Sequence, residues 1–175
     1  MTDLCFLATK YGTDKGPAGH NYTPRYDAHF APFRNESFNL LEIGVFEGAS
    51  LRMWRDYFRN ASVMGIDINT VPVDVQGSTW RGDVKNYTSN PSLFRVIIDD
   101  GSHLAEDVVT AFDRLWLAVE PGGWYCIEDW DAIDEGLDVG GARLLFAHLV
   151  EQLWHERGDV SEVHVYDQLV MLRKR

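Results

Sequence analysis

The stretch FNLLEIGVFEGAS, residues 38–50, decides the fold class of this chain. Its first part, Phe38–Gly44, is a short apolar strand that ends in glycine, and Leu51, Trp54 and Phe58 then recur at a helical spacing. A strand that leads through a glycine-containing loop into an amphipathic helix forms one β–loop–α unit. Repetition of such units predicts a parallel sheet that is covered by helices.

The same alternation of strand and helix signals continues along the chain. After the first strand, the predicted strands are 62–68, a weaker one around 78–83, 94–100, 124–129, 162–166 and 169–172. One predicted helix carries an apolar stripe from Leu104 to Val119 and is stopped by Pro121-Gly122-Gly123, and another runs through Leu145, Leu149 and Leu153 after a loop at 131–141. Because strands that alternate with helices pair in parallel, we expect an α/β fold. The expected fold has a mostly parallel sheet of seven strands, a C-terminal antiparallel hairpin and helices on both faces of the sheet.

Length and charge exclude several classes of protein. The chain has 175 residues, enough for one compact domain of 37–175 and an N-terminal arm or lid of 1–36 with one or two short helices. Its net charge of −11 repels nucleic acid and anionic membranes. The first residues lack a secretory signal, and no apolar run is long enough to cross a membrane. The spacing of Cys5 and Cys126 matches no metal-binding or redox motif. We therefore expect a cytoplasmic protein with free thiols.

Acidic residues follow the predicted strands, where ligands collect in an open α/β sheet. The glycine loop lacks the Gly-x-Gly-x-x-Gly pattern of nicotinamide-binding proteins, which disfavours a dinucleotide. Asp67 follows the second strand, where an acid can accept hydrogen bonds from ribose hydroxyls. Together with Glu42 and Asp83, it favours a nucleoside ligand over the alternative of an ordinary strand–helix turn.

A second group of chemical interest is the segment Asp99-Asp100-Gly101-Ser102-His103. Asp100 and His103 are three residues apart, so both side chains can point into one crevice. With Glu128 and Asp129 from the next strand end, Asp100 offers the oxygen ligands that Mg²⁺ prefers, and His103 is a suitable base near neutral pH. The alternative is purely structural, with Ser102 capping a helix, His103 in its first turn and the other acids solvated.

These motifs resemble those of class I S-adenosylmethionine-dependent methyltransferases over residues 38–175. Glu42-x-Gly44-x-x-x-Gly48 matches their first motif, Asp67 their ribose-binding acid, and the last two strands their antiparallel hairpin. The resemblance implies a Rossmann-like methyltransferase fold in which residues 37–175 bind S-adenosylmethionine and catalyse the reaction. It places Asp83 beside the adenine and Gly44 against the methionine moiety.

The Asp-Asp-Gly-Ser-His segment, the Glu128-Asp129 pair and the arm segment KYGTDK with His20 and Tyr22 are more specifically similar to metal-dependent sugar O-methyltransferases. These include enzymes that methylate macrolide deoxysugars and enzymes of mycobacterial methylmannose polysaccharide assembly. By this resemblance His103 is the general base, Asp100, Glu128 and Asp129 hold the cation, and Lys15 of the arm also contacts the cofactor. The cofactor-binding residues that it implies are Tyr11, Thr13, Glu42, Gly44, Ser50, Asp67, Asp83 and Asp100. This chain is short for the group, and we therefore expect it to lack the large auxiliary domain of these enzymes.

The sequence thus predicts transfer of the methyl group of S-adenosylmethionine to a hydroxyl of a sugar or glycoside, with assistance from Mg²⁺ or a similar divalent cation. We expect a small-molecule acceptor and neither a nucleic-acid nor a membrane partner, and the aromatic arm is compatible with a homodimer. Three alternatives remain open at this point: a catechol or polyketide O-methyltransferase, a non-catalytic cofactor-binding module, and a nicotinamide oxidoreductase.

Overall fold

A computed structural model describes residues 2–130 and 158–175 of the chain, together with 147, 150 and 151. The chain divides into two compact units, Met1–Arg81 and Gly82–Arg175. The predicted loop at 131–141 and the predicted helix through Leu145, Leu149 and Leu153 lie outside the described residues. The division into an arm of 1–36 and a catalytic domain of 37–175 stays a prediction.

The described strands form a mixed seven-stranded sheet, which confirms the predicted fold class. The strands are β1 (Asn39–Ile43), β2 (Ser62–Asp67), β3 (Thr79–Arg81), β4 (Phe94–Asp99), β5 (Val119–Glu128), β6 (Val160–Val165) and β7 (Leu169–Lys174). Their order in the sheet is β3-β2-β1-β4-β5-β7-β6. The pairs β1–β2, β2–β3 and β4–β5 are parallel, whereas β7 pairs antiparallel with both β5 and β6.

The first unit contains an aromatic core that joins two of its helices. The helices of this unit are α1 (Asp3–Tyr11), α2 (Thr23–Phe30), α3 (Ala49–Tyr57) and the short α4 (Val73–Gln76), with a 3₁₀ turn at Ala31–Phe33. Phe30 of α2 packs against Trp54 and Phe58, with ring centroids 6.3 and 5.9 Å apart. All three rings are fully buried, so the N-terminal segment contributes to the hydrophobic core of this unit.

In the second unit, helix α5 (Ala105–Leu115) packs on β5 through Phe112, whose ring lies 5.2 Å from that of Tyr125. The expectation that this helix continues to Val119 and that Pro121-Gly122-Gly123 stops it is wrong. A 3₁₀ turn at Trp116–Ala118 follows α5, and Val119 already begins β5. An irregularity in the β4–β5 register accommodates the Pro-Gly-Gly stretch, and a Cβ at Gly123 would lie 2.8 Å from the carbonyl oxygen of Arg95. The glycines here permit a close approach of two strands and do not terminate a helix.

Candidate active site

The glycine loop after β1 is held in shape by the carboxylate of Asp67, at the end of β2. Asp67 Oδ2 accepts hydrogen bonds from the backbone N–H groups of Val45 and Phe46 at 2.8 and 2.9 Å, and Oδ1 accepts one from Asn69 N at 2.7 Å. Phe46 has a φ of 49°, which is unusual for a bulky residue and shows that these bonds impose a tight turn. A carboxylate offers about four acceptor positions, so Asp67 keeps room for one further donor. The sequence pattern did not reveal this loop-holding role.

Helix α3 begins directly after Gly48, where the backbone again turns left-handed with a φ of 75°. A Cβ at this position would also lie 2.8 Å from Val75 Cγ2. Glycine at residue 48 is therefore required by both the backbone conformation and the space available. Gly44, the other predicted cofactor residue of this loop, has a φ of 84°, and its N–H donates to Ile66 O at 2.9 Å.

Glu42 is a fully buried carboxylate at the centre of a small polar network. Ser50 Oγ donates to Glu42 Oε2 at 2.8 Å, and Trp54 Nε1 donates to Oε1 at 3.4 Å. Lys15 Nζ lies 3.5 Å from Oε1, and its side chain is also buried. The structure thus brings together Glu42 and Ser50, two of the predicted cofactor-binding residues. It also places the Lys15 ammonium beside the Glu42 carboxylate. The lysine offsets the cost of burying the charge of Glu42.

The other arm residues predicted to contact the cofactor have neighbours within the first unit. The Tyr11 hydroxyl donates to Asp56 Oδ2 on α3 at 2.5 Å, and Lys10 Nζ donates to the same oxygen at 2.7 Å. Thr13 is half-buried, and its N–H donates to Ala8 O at 3.2 Å. Contacts of Tyr11 and Thr13 with a cofactor stay predictions.

In the second unit, the ends of β4 and β5 bring Asp100, His103 and Asp129 together. His103 Nε2 lies 3.8 Å from Asp100 Oδ1 and 3.7 Å from Asp129 Oδ2. The side chains are partly exposed, at 33% for His103, 24% for Asp100 and 17% for Asp129, so the group is open to a ligand. The structure thus brings the two acids and the imidazole together, and their roles as metal ligands and base stay predictions.

The backbone at this group is strained. His103 has a φ of 57° and Asp129 a φ of 49°, both in the left-handed region that residues other than glycine rarely adopt. Helix α5 starts at Ala105, so His103 lies before the helix. The alternative in which His103 occupies its first turn is therefore wrong. Strain of this kind clusters at functional sites, where the surrounding structure maintains it.

The three side chains lie close enough together to hold a metal ion, with one ligand atom from each of Asp100, His103 and Asp129 within 4.8 Å of the others. The carboxylate oxygens of Asp100 and Asp129 are the ligand type that a hard divalent cation prefers. Glu128 is buried at the end of β5 and is outside this three-residue group, so its role as a metal ligand stays a prediction.

Two further acidic residues of the second unit have hydrogen-bond partners of their own. Asp99, the last residue of β4, accepts a hydrogen bond from the Tyr125 hydroxyl at 3.1 Å, and burial raises the pKa of Asp99 to about 7. The sequence marked Asp99 only as one of several strand-end acids. Asp83, the predicted adenine residue, is half-buried, and its Oδ1 accepts from Lys85 N at 2.9 Å. It caps a 3₁₀ turn at Val84–Asn86, and its contact with an adenine stays a prediction.

The chain is similar over almost its whole length to curated O-methyltransferases. No protein-family model matches it. It is 32% identical to demethylmacrocin O-methyltransferase of Streptomyces fradiae, over 98% of this chain and 53% of that protein. It is 38% identical to mycinamicin VI 2''-O-methyltransferase of Micromonospora griseorubida, over 98% of this chain and 52% of that protein. The chain thus spans about half the length of the curated relatives that it matches.

Solved structures agree with these similarities. The chain superposes on the MycE methyltransferase of the mycinamycin biosynthetic pathway, in complex with Mg, S-adenosylhomocysteine and mycinamycin VI, with a TM-score of 0.84. The two are 30% identical, and the match covers 99% of this chain and 55% of the other. A methyltransferase of Mesorhizobium loti, 13% identical with a TM-score of 0.59, shares the fold.

The sheet order and the structural matches show that the chain has the Rossmann-like fold of class I S-adenosylmethionine-dependent methyltransferases. Within this class, its resemblance to the metal-dependent sugar O-methyltransferases of macrolide pathways is confirmed by both comparisons. Among the described residues, no helix is long and apolar enough to cross a membrane.

Proposed function

We propose that this chain carries the catalytic site of an S-adenosylmethionine-dependent O-methyltransferase that acts on a sugar or glycoside hydroxyl. The observation that carries the proposal is the convergence of Asp100, His103 and Asp129 at two strand ends. The names of the two relatives above, demethylmacrocin O-methyltransferase and mycinamicin VI 2''-O-methyltransferase, support this reaction and the acceptor class.

In the first unit, the residues that we assign to cofactor binding are Tyr11, Thr13, Glu42, Gly44, Ser50 and Asp67. Gly44 leaves the main chain accessible because it has no side chain, and Asp67 retains an acceptor position for a ribose hydroxyl. In the second unit, Asp83 and Asp100 complete this assignment. S-Adenosylmethionine supplies a methyl group that is already electrophilic, so the protein mainly has to orient and activate the acceptor.

In the second unit, Asp100 and Asp129 would hold the divalent cation, with Glu128 as a further ligand. A bound Mg²⁺ would stabilise the negative charge that develops on the acceptor oxygen. Imidazole is a poorer ligand for a hard cation than a carboxylate, and we therefore assign His103 Nε2 the role of accepting the proton of the acceptor hydroxyl. The neighbouring carboxylates would then stabilise the imidazolium.

Acceptor competition tests this function. The protein is assayed with S-adenosylmethionine and either a deoxysugar glycoside or a catechol, with Mg²⁺ present or removed by EDTA. We expect methylation of the glycoside that EDTA abolishes and Mg²⁺ restores. Preferential methylation of the catechol would support the alternative O-methyltransferase, and binding of S-adenosylhomocysteine without turnover of either acceptor would support a cofactor-binding module. Stabilisation of the protein by NADH and not by S-adenosylhomocysteine would indicate an oxidoreductase.

We also propose that the enzyme works in the cytoplasm. Cys5 and Cys126, the two cysteines of the sequence, are both buried free thiols, which supports a reducing compartment. A homodimer stays a prediction, and light scattering of the purified protein tests it.

A further inference from the structure

We propose that Lys85, Asp107 and Ser102 form a positioning chain that holds the His103 segment in its working conformation. The inference rests on the proposed function, because the role of His103 as a base is given there. Each member acts through its neighbour and is therefore a positioning residue.

The inner end of the positioning chain fixes the backbone on one side of His103. Ser102 Oγ donates to Asp107 Oδ2 at 2.6 Å and accepts a hydrogen bond from Leu104 N at 3.3 Å. Asp107 belongs to the first turn of α5, so a helix of the second unit supports this loop. The serine thereby ties the residues before and after His103 to each other and to α5.

The outer end connects the same loop to the segment that follows Asp83. Lys85 Nζ lies 2.5 Å from Asp107 Oδ1, and the backbone N–H of Lys85 donates to Asp83 Oδ1. The Lys85 ammonium and the Ser102 hydroxyl both lower the pKa of Asp107, so this carboxylate stays ionised and accepts strong hydrogen bonds. The positioning chain therefore runs from the predicted adenine residue to the predicted base.

The loop requires such support because of its backbone. A left-handed histidine is energetically unfavourable and persists only where neighbouring contacts hold it. Without Asp107, the segment can relax toward a right-handed or extended conformation, and both the imidazole and the proposed cation ligand Asp100 would then move away from Asp129. Ser102 is exposed, so water competes for its hydrogen bonds and the expected effects are moderate.

The test uses the variants Ser102→Ala, Asp107→Ala and Lys85→Met. Glu106→Gln is the matched control, because Glu106 is the exposed carboxylate next to Asp107 in the same helical turn. Lys85→Arg is the conservative variant expected to rescue the loss in Lys85→Met. Three properties are measured: hydrogen exchange of the amides of 100–106, the affinity for Mn²⁺ alone, and kcat and KM for S-adenosylmethionine.

We expect Asp107→Ala and Ser102→Ala to accelerate exchange of 100–106, and to weaken Mn²⁺ binding and lower kcat by roughly 10-fold each, the low end for residues that orient ligand groups. KM for S-adenosylmethionine and the melting temperature should stay close to those of Glu106→Gln. Lys85→Met should show a smaller loss in the same properties. Wild-type exchange and Mn²⁺ affinity in Asp107→Ala and Ser102→Ala would overturn the proposal.

The variant Asp129→Asn separates this failure from failure of the proposed function. If Asp129→Asn binds Mn²⁺ as tightly as the wild type, the proposed metal site is wrong, yet the exchange of 100–106 still decides whether the positioning chain holds the loop. If Asp129→Asn loses Mn²⁺ while Asp107→Ala keeps both wild-type exchange of 100–106 and wild-type Mn²⁺ affinity, only the positioning chain is rejected.

Discussion

The glycine loop of the first unit and the acid–histidine group of the second unit use the same side-chain types in opposite ways. In the glycine loop, Asp67 accepts three backbone hydrogen bonds of 2.7–2.9 Å. In the acid–histidine group, His103 lies 3.7–3.8 Å from two carboxylates, which is beyond hydrogen-bond distance. The Asp67 carboxylate holds the glycine loop in shape, whereas the spacing of the second set leaves room for the cation that we propose.

Substitutions in the glycine loop and in the acid–histidine group should differ in whether they affect stability or catalysis. A buried polar group that its partners satisfy contributes to the fold, and removing one partner leaves the other desolvated. Backbone strain of the kind found at the acid–histidine group costs stability and clusters at functional sites. We therefore expect variants of the first unit mainly to unfold the protein and variants of the acid–histidine group mainly to inactivate it.

The largest effect is expected for His103→Gln. Loss of a general base lowers kcat by roughly 10²–10⁴-fold, whereas the affinity for S-adenosylhomocysteine should stay unchanged. Steady-state kinetics and calorimetric titration measure the two quantities. His164→Gln, a histidine variant in β6 at the edge of the sheet, is the control and should retain activity. A fully active His103→Gln would remove the imidazole from the reaction and abolish the contrast between the two regions.

A large effect on stability is expected for Lys15→Met. The substitution leaves the buried Glu42 carboxylate without its cation, and breaking a buried ion pair costs about 3–5 kcal/mol of unfolding free energy. Urea denaturation of Lys15→Met and of the double variant Lys15→Met/Glu42→Gln measures this. The double variant should recover much of the loss, because neither charge then remains buried. Equal losses in the two variants would show that the ion pair is not the cause.

A moderate effect is expected for Asp67→Asn. In the variant, the amide NH₂ group would replace a carboxylate oxygen that accepts hydrogen bonds from backbone N–H groups. These N–H groups would lose their acceptor, which should lower the free energy of unfolding by about 1–3 kcal/mol. Denaturation and titration with S-adenosylhomocysteine should show losses of stability and of affinity together. Glu47→Gln, an exposed carboxylate of the same loop, should change neither. If the affinity for S-adenosylhomocysteine falls while the stability is unchanged, Asp67 serves ligand binding and not the fold, as we expect for the acid–histidine group.

The smallest effect is expected for Asp56→Asn on the surface of α3. Hydrogen bonds from Lys10 and Tyr11 lower the pKa of Asp56. A lowered pKa in the folded state adds stability above the unfolded pKa of about 3.9, and this stability is lost as the pH falls through the folded value. The variant should therefore melt slightly below the wild type at pH 7 and equal it in strong acid. A difference that persists in acid would point to packing of the arm on α3.

The strand pattern predicted most of the architecture because buried strands leave a clear signal. The predicted ranges 62–68 and 94–100 match β2 and β4 to within one residue. The start of β5 was missed because Val119 extends the apolar stripe of α5 through a 3₁₀ turn, and because Pro and Gly usually end helices. The register of β4 against β5 decides this boundary, and a sequence pattern does not contain it.

For the candidate site, the sequence predicted which residues meet but not how the backbone brings them together. Asp100 and His103 were expected to approach through one helical turn, and instead a left-handed residue turns the imidazole toward the acids. Hydrogen bonds between distant segments, such as Ser102 to Asp107 and Asp67 to Phe46, were also not predicted. They depend on tertiary contacts and leave no periodicity in the sequence.

The left-handed conformations of His103 and Asp129 also constrain how this chain can be engineered for heat tolerance. Glycine at either position would relieve the torsional cost and should raise the melting point, but it would delete the side chain on which the proposed chemistry depends. A library screened only for survival at high temperature should therefore enrich robust but inert clones at these two codons. Screens that score product formation alongside solubility would be needed to keep both residues.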